Sequence, residues 1–204
     1  MVPRPEIIAA IERGFRSFPI VSLFGPRQCG KTTIARILAE KEGARFLDLE
    51  DPGDAAALNQ PLLVLGNRGG FYVLDEVQNR PDLFPILRVL VDRPENSARF
   101  LLLGSASPAI IRNVSESLAG RCAFVEMEGF SQYEIGPENW ERLWLRGGFP
   151  RSYLANTGEE SGDWLTGFTR SFLERDIPQL GISVPAATLR RFWTMTAHYN
   201  GQTW

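Results

Sequence analysis

Residues 19–33, PIVSLFGPRQCGKTT, constrain this chain more than any other stretch. The apolar run at 20–24 reads as a buried strand. A turn bearing Gly and Pro follows, and a helical pattern opens at Lys31. Between them lies Gly25-x-x-x-x-Gly30-Lys31-Thr32, the phosphate-binding loop pattern. Glycine at 25 and 30 opens backbone conformations closed to residues with a Cβ. Successive N–H groups then turn inward as an anion nest. The nest ends at a helix N-terminus, whose unpaired N–H groups and dipole favour phosphate. At this spacing Lys31 reaches the β- and γ-phosphates and the Thr32 hydroxyl holds Mg2+. The competing reading is a glycine-rich turn that matches by accident. The strand before it and the helix after it argue for the loop. The candidate nucleotide-binding residues are Gly25, Pro26, Arg27, Gln28, Cys29, Gly30, Lys31, Thr32 and Thr33.

The chain has 204 residues, enough for one α/β domain and a small appendage. Its formal net charge of -2 argues against a nucleic-acid coat, which needs a strong basic excess. No apolar stretch approaches a membrane span, and the first residues lack the apolar core of a signal peptide, so a cytoplasmic protein is expected. Cys29 and Cys122 are too few for a disulfide scaffold and read as reduced thiols. Cys29 stands just before a helix N-terminus, where a thiol is expected to be acidified and reactive. His198 is the only histidine, so neither a His-bearing triad nor a multi-His metal site can be assembled.

A second motif closes the third predicted strand. Phe71-Tyr72-Val73-Leu74 runs into Asp75-Glu76, four apolar residues and an acid, the Walker B pattern. A strand buried on both faces lacks polar alternation. Its C-terminal end is where an open α/β sheet binds ligands. Asp75 suits a Mg2+ site held through water, and Glu76 suits orienting and polarising the attacking water. A pair of acids at a solvated strand exit would look the same in isolation; its place after a phosphate loop makes the motif specific.

Around these motifs the periodicity predicts helices over 6–16, 31–41 and 82–92, the last capped by Asp82. It also predicts one or two short helices over 51–65, with Asp51 as N-cap and a break near Pro61. Strands are expected at 45–49 and 99–103. Ser105 follows the latter, where a sensor of the γ-phosphate is expected, with Ser107 as second choice; turn-forming serines explain both equally well. A helix over 108–118, a strand over 122–126 and a capping box at Ser131–Glu134 complete the first domain, 1–137. From 138 to 204 the texture turns Trp-rich and helical. Helices over 163–176 and 183–200 are expected, the second too apolar to stand without a partner surface. The chain then stops at Trp204 with no closing element, which reads as a second domain cut short. Arg142, Arg146 and Arg151 read as a solvated basic face.

Taken together, GPRQCGKTT, FYVLDEVQ, LLLGSAS, SLAGR, the GGFP turn and FLERDIPQLGI resemble the bacterial and archaeal AAA-superfamily ATPases that carry a C-terminal domain of unknown function. The resemblance implies a three-layer αβα phosphate-loop NTPase fold on a five-stranded parallel sheet. The first strand would lie beside the fourth and the fourth beside the third, with a small helical C-terminal segment after them. It implies ATP and Mg2+ as cofactors, Mg2+ held by Thr32 and Asp75, and water activation by Glu76. It also implies an arginine finger at Arg121, reaching a neighbouring subunit's γ-phosphate in a homo-oligomer. A structural Arg121 paired with Glu116 or Glu126 is the alternative. Two functions share this pocket. One is an ATP hydrolase. The other is a nucleotide-gated switch, with slow or incidental hydrolysis, that controls a DNA- or protein-binding C-terminal region.

Overall fold

The computed structural model describes residues 2–201, with Gln179 described by its backbone alone. Strands β1 (Ile20–Phe24), β2 (Arg45–Asp48), β3 (Phe71–Asp75), β4 (Arg99–Gly104) and β5 (Cys122–Glu126) form one parallel sheet in the order β2-β3-β4-β1-β5. β4 therefore lies between β1 and β3, as the motifs lead one to expect. Central strands must be apolar on both faces, and every residue of β1 and β3 is buried.

Alternation along β1 divides the core. Ile20 and Phe24 face a cluster with Phe100, Leu102, Leu74, Leu87 and Val114. That cluster is completed by α5 (Leu83–Val91), α6 (Pro108–Ser117) and the short helices α3 (Pro52–Ala57) and α4 (Pro61–Leu65). Val21 and Leu23 face the opposite way, onto Leu101, Leu103, Ile34, Leu38 and Ile11. Here α1 (Pro5–Ser17) and α2 (Lys31–Glu42) cover the sheet. Each such Leu, Ile or Phe contributes about 1.5–3 kcal/mol by leaving water. The result is the three-layer sandwich.

Local chemistry sets the element ends. Asp51 caps α3, its carboxylate accepting from the N–H groups of Gly53 and Asp54 at 2.8 and 3.1 Å. Asp82 precedes α5 without capping it; its carboxylate is taken by Arg80 at 2.8 and 2.9 Å. A strong two-armed charge pair outcompetes a cap. Glu134 accepts from the Ser131 N–H at 2.8 Å and starts α7 (Gln132–Ile135).

The compact body runs past α8 (Trp140–Arg146) to α9 (Pro150–Tyr153), because Phe130, Ile135 and Tyr153 share a cluster that Leu143 joins. Arg142 is exposed, as a solvated face requires, yet it also joins this packing. It donates to the Tyr153 carbonyl at 3.0 Å and lies over the Tyr153 ring.

Residues 154–201 form a separate helical unit. Its first helix, α10 (Gly158–Ser171), starts earlier than periodicity predicts, because Thr157 and Glu160 form a capping box there. It continues through a π-helical turn at Phe172–Asp176 into α11 (Ile177–Gln179). α12 (Ala186–His198) starts late, after Pro185, and carries the half-exposed Phe192, Trp193 and Met195. Trp164, Phe168 and Phe172 stack in sequence, and Phe172 meets Trp193 at 5.9 Å between ring centroids. Trp204 lies outside the described residues.

Candidate nucleotide site

Strand register brings the motifs to one rim. Phe24 stands beside Gly104 and Glu126, and Asp48 beside Asp75. The residues that follow, Gly25, Ser105 and Glu76, therefore leave the sheet at the same C-terminal edge.

The loop from Gly25 to Gly30 turns back on itself there. At Gly25 an added Cβ would lie 1.9 Å from the Met127 carbonyl oxygen, so no side chain fits. Gln28 and Gly30 take positive φ, +63° and +104°. Gly30 accepts a backbone bond from Ile34 at 3.2 Å, and α2 begins at Lys31. Pro26 and Gln28 are exposed, Arg27 is half-buried, and Thr33 is exposed in the first turn of α2.

Lys31 is only 6% exposed. Its ammonium donates to the carbonyls of Gly25 and Pro26 at 2.9 and 2.8 Å, and no carboxylate among the described residues pairs with it. The carbonyls satisfy its N–H groups but carry no net charge, so its positive charge is left without a counter-ion. Beside it, the Thr32 hydroxyl donates to the Asp75 carboxylate at 2.8 Å, across 43 residues of sequence. The other Asp75 oxygen accepts the Glu76 N–H at 3.0 Å. Burial raises the Asp75 carboxyl above the usual carboxylate range; the Thr32 bond offsets part of this, and the charge of Glu76 adds to it. Glu76 itself sits at φ +55°, unusual for a residue with a side chain, and its carboxylate accepts from the Gln78 amide.

The donor set fits Mg2+. A hydroxyl and one buried carboxylate are hard oxygen ligands, and a Mg2+ site of this type leaves its other positions to water and substrate phosphates. Among the described residues no cluster of three or more His, Cys, Asp or Glu could hold a metal by itself.

Three expectations need correcting. Cys29 is fully buried and turned away from the nest, with Sγ 3.4 Å from the Met127 carbonyl. Burial raises its thiol above the ordinary value, and the nearby Lys31 charge offsets only part of that. The helix terminus acts on the loop's N–H groups, while the Cys29 side chain faces the core. Ser107 is the N-cap of α6, its hydroxyl accepting the Ile110 N–H at 3.4 Å. Ser105 stays half-exposed on the rim. Arg121 pairs with neither Glu116 nor Glu126. It grips Asp92 with two bonds of 2.7 Å at the N-terminal end of β5, the edge opposite the loop.

The sequence patterns give no role to two residues of the site. Arg4 is 6% exposed and reaches the carbonyls of Cys29, Glu128 and Gly129 at 3.4, 2.8 and 3.3 Å, besides the Glu134 carboxylate. It ties the outside of the phosphate loop to the segment after β5. Gln78 is the other. Neither belongs to a periodic pattern; Gln78 closes the FYVLDEVQ string, two residues after Glu76, but the string by itself gives it no role.

A parallel sheet with this strand order, a phosphate loop after β1 and an acidic pair after β3 define a P-loop nucleotide-binding protein. The match in detail is to the AAA domain family over residues 17–136, and by that match the chain belongs to it. Residues 137–204 match a domain of unknown function (DUF8612). Uncharacterized proteins of Mycobacterium tuberculosis and Mycobacterium bovis are each 48% identical over 202 residues, which cover 99% of this chain and 46% of theirs. The chain thus spans about half the length of these curated relatives. A Walker-type ATPase of Pyrococcus abyssi shares the fold, with a TM-score of 0.58 at 16% identity, over 88% of this chain and 75% of that one. No helix among the described residues is long and apolar enough to cross a membrane.

Proposed function

We propose that this chain binds Mg-ATP and hydrolyses it to ADP and phosphate. The observation that carries the reading is the 2.8 Å bond from Thr32 to Asp75, which joins the two motifs beside the buried Lys31 ammonium. In this reading the N–H groups of the loop and the N-terminus of α2 bind the β- and γ-phosphates. Lys31 turns from its carbonyl partners to the phosphate oxygens. Mg2+, held by Thr32 and Asp75, would supply a positive charge against the charge that develops on the phosphates. Glu76 orients a water in line with the γ-phosphorus and takes its proton. Ser105, on the same rim, contacts the γ-phosphate. Arg121 stands at the wrong edge to serve its own site and would act only on another copy's.

The test separates binding from chemistry. Glu76→Gln should bind Mg-ATP with wild-type affinity and lose about 10²-fold or more in single-turnover hydrolysis, the range for general bases. Hydrolysis at the wild-type rate by Glu76→Gln would refute the assignment.

One observation also favours the switch reading. From Cys29 the Arg4 side chain leads to Gly129, which packs on the backbone of Gly148, and the Phe130 N–H donates to the Gly148 carbonyl at 2.6 Å. The phosphate loop is thereby tied to the turn before α9. Single-turnover rates in the absence of any partner measure how far hydrolysis is incidental to such signalling.

A further inference from the structure

Among the described residues, the one buried side-chain nitrogen or oxygen without a hydrogen-bond partner is Gln78 Oε1. Leaving a buried acceptor unpaired is costly, and such groups call for a reason. Its surroundings supply one. Gln78 lies in the 3-10 turn Val77–Asn79, two residues after Glu76, and its Nε2 donates to the Glu76 carboxylate. A carboxylate only accepts, so the amide must present its NH2 group there. That commits Oε1 to the opposite side. On that side is the end of β4, where a Cβ on Gly104 would lie 3.0 Å from Oε1. The next nearest side chains to that position, Phe24 and Val77, are apolar and cannot donate.

The base under Gln78 is firm. Arg80 anchors the turn to the carbonyls of Ala55 and Leu58 at 3.2 and 3.0 Å, and holds Asp82 as well. Glu76 in contrast has an uncommon left-handed backbone and a long side chain with three torsions to fix. An ordinary turn-stabilising glutamine would satisfy both ends of its amide. This one gives its donor to the carboxylate and leaves its acceptor facing the strand end that leads to Ser105.

We propose that Gln78 is a positioning residue for Glu76: the amide, seated beside the end of β4, fixes the orientation of the water-activating carboxylate. The proposal rests on the reading of Glu76 given above. Gly104 is then required because any side chain there would push the amide off its place.

The test uses the full chain with saturating Mg-ATP. Gln78→Glu keeps the shape and loses the donor; Gln78→Leu loses both polar groups. Each should slow single-turnover hydrolysis about 10- to 100-fold, the range for outer-shell partners of catalytic groups, with the dissociation constant of ATP unchanged within about twofold. Gln78→Glu also guards against misfolding of the leucine variant. Hydrolysis by both variants within twofold of wild type overturns the proposal, and so does a loss confined to affinity. Glu76→Gln run alongside separates the two claims. If it is inactive while the Gln78 variants are normal, the positioning role fails and the catalytic reading stands. If it is fully active, the catalytic reading fails. The hydrogen bond has its own readout that needs no turnover. The side-chain amide signal of Gln78 in nitrogen-15 spectra should be slow to exchange and should shift in Glu76→Ala. A fast-exchanging, unmoved signal would overturn the proposal.

Discussion

At Cys29 the sequence position and the side-chain direction point to opposite chemistry. Its backbone belongs to the phosphate loop, while its thiol is sealed in the core against Met127. Burial raises the pKa of Cys29, and it raises that of Cys122 to about 11, so at neutral pH neither is appreciably a thiolate. Maleimide should therefore label both slowly in the native chain and rapidly only in denaturant. Mg-ATP should slow the labelling of Cys29 only by stabilising the fold. Fast native labelling of Cys29 would contradict the buried orientation. Lys31 makes the complementary point: it too is buried, yet its charge is kept beside carbonyls at the mouth of the nest.

Among the elements, the segment before α1 does more than begin a helix. Arg4 holds the phosphate loop, the residues after β5 and Glu134 together in a largely buried cluster. Breaking such a pair from one side leaves an uncompensated charge and costs about 3–5 kcal/mol. Arg4→Met should lower thermal stability sharply, and Arg4→Met combined with Glu134→Leu should recover part of the loss. The pH dependence has a definite sign. Burial pushes the Glu134 carboxyl up, but the bonds from Arg4 and Ser131 more than reverse this, so its folded pKa lies below the usual value. Its stabilisation is present above the ordinary glutamate pKa and is lost as pH falls through the folded one. Thermal melts from pH 7 downward should converge for wild type and the double variant; parallel curves would contradict the pair. The central strands were legible as short apolar runs buried on both faces, and the long helices by their 3.6-residue period. The rim motifs were legible because phosphate chemistry fixes their spacing. Arg4 and the Asp92 partner of Arg121 were not, and of Gln78 only its place in the FYVLDEVQ string was. Their roles depend on contacts across 25 to 130 residues, or on which way one amide faces, and no local pattern encodes either. The late start of α12 and the early start of α10 were hidden by Pro185 and by the Thr157–Glu160 box.

Across the whole molecule the sheet has a working edge and a far edge. Lys31, Thr32, Asp75, Glu76 and Ser105 share the first, and Arg121 stands on the second. An arginine so placed can serve a nucleotide only in an adjacent copy, and only by releasing Asp92. Mixing Glu76→Gln with Arg121→Ala gives a clean outcome once co-assembly is demonstrated. Restored hydrolysis would mean that Arg121 completes a neighbour's site, and no restoration would leave it as the fold contact seen with Asp92.

All of these readings presuppose that the rim binds a nucleoside triphosphate, and equilibrium binding of a fluorescent ATP analogue measures that directly. The wild-type chain should bind it saturably with Mg2+ present, and Lys31→Ala should lose binding while keeping its fold by circular dichroism. Equal affinity in wild type and Lys31→Ala would contradict the account at its centre.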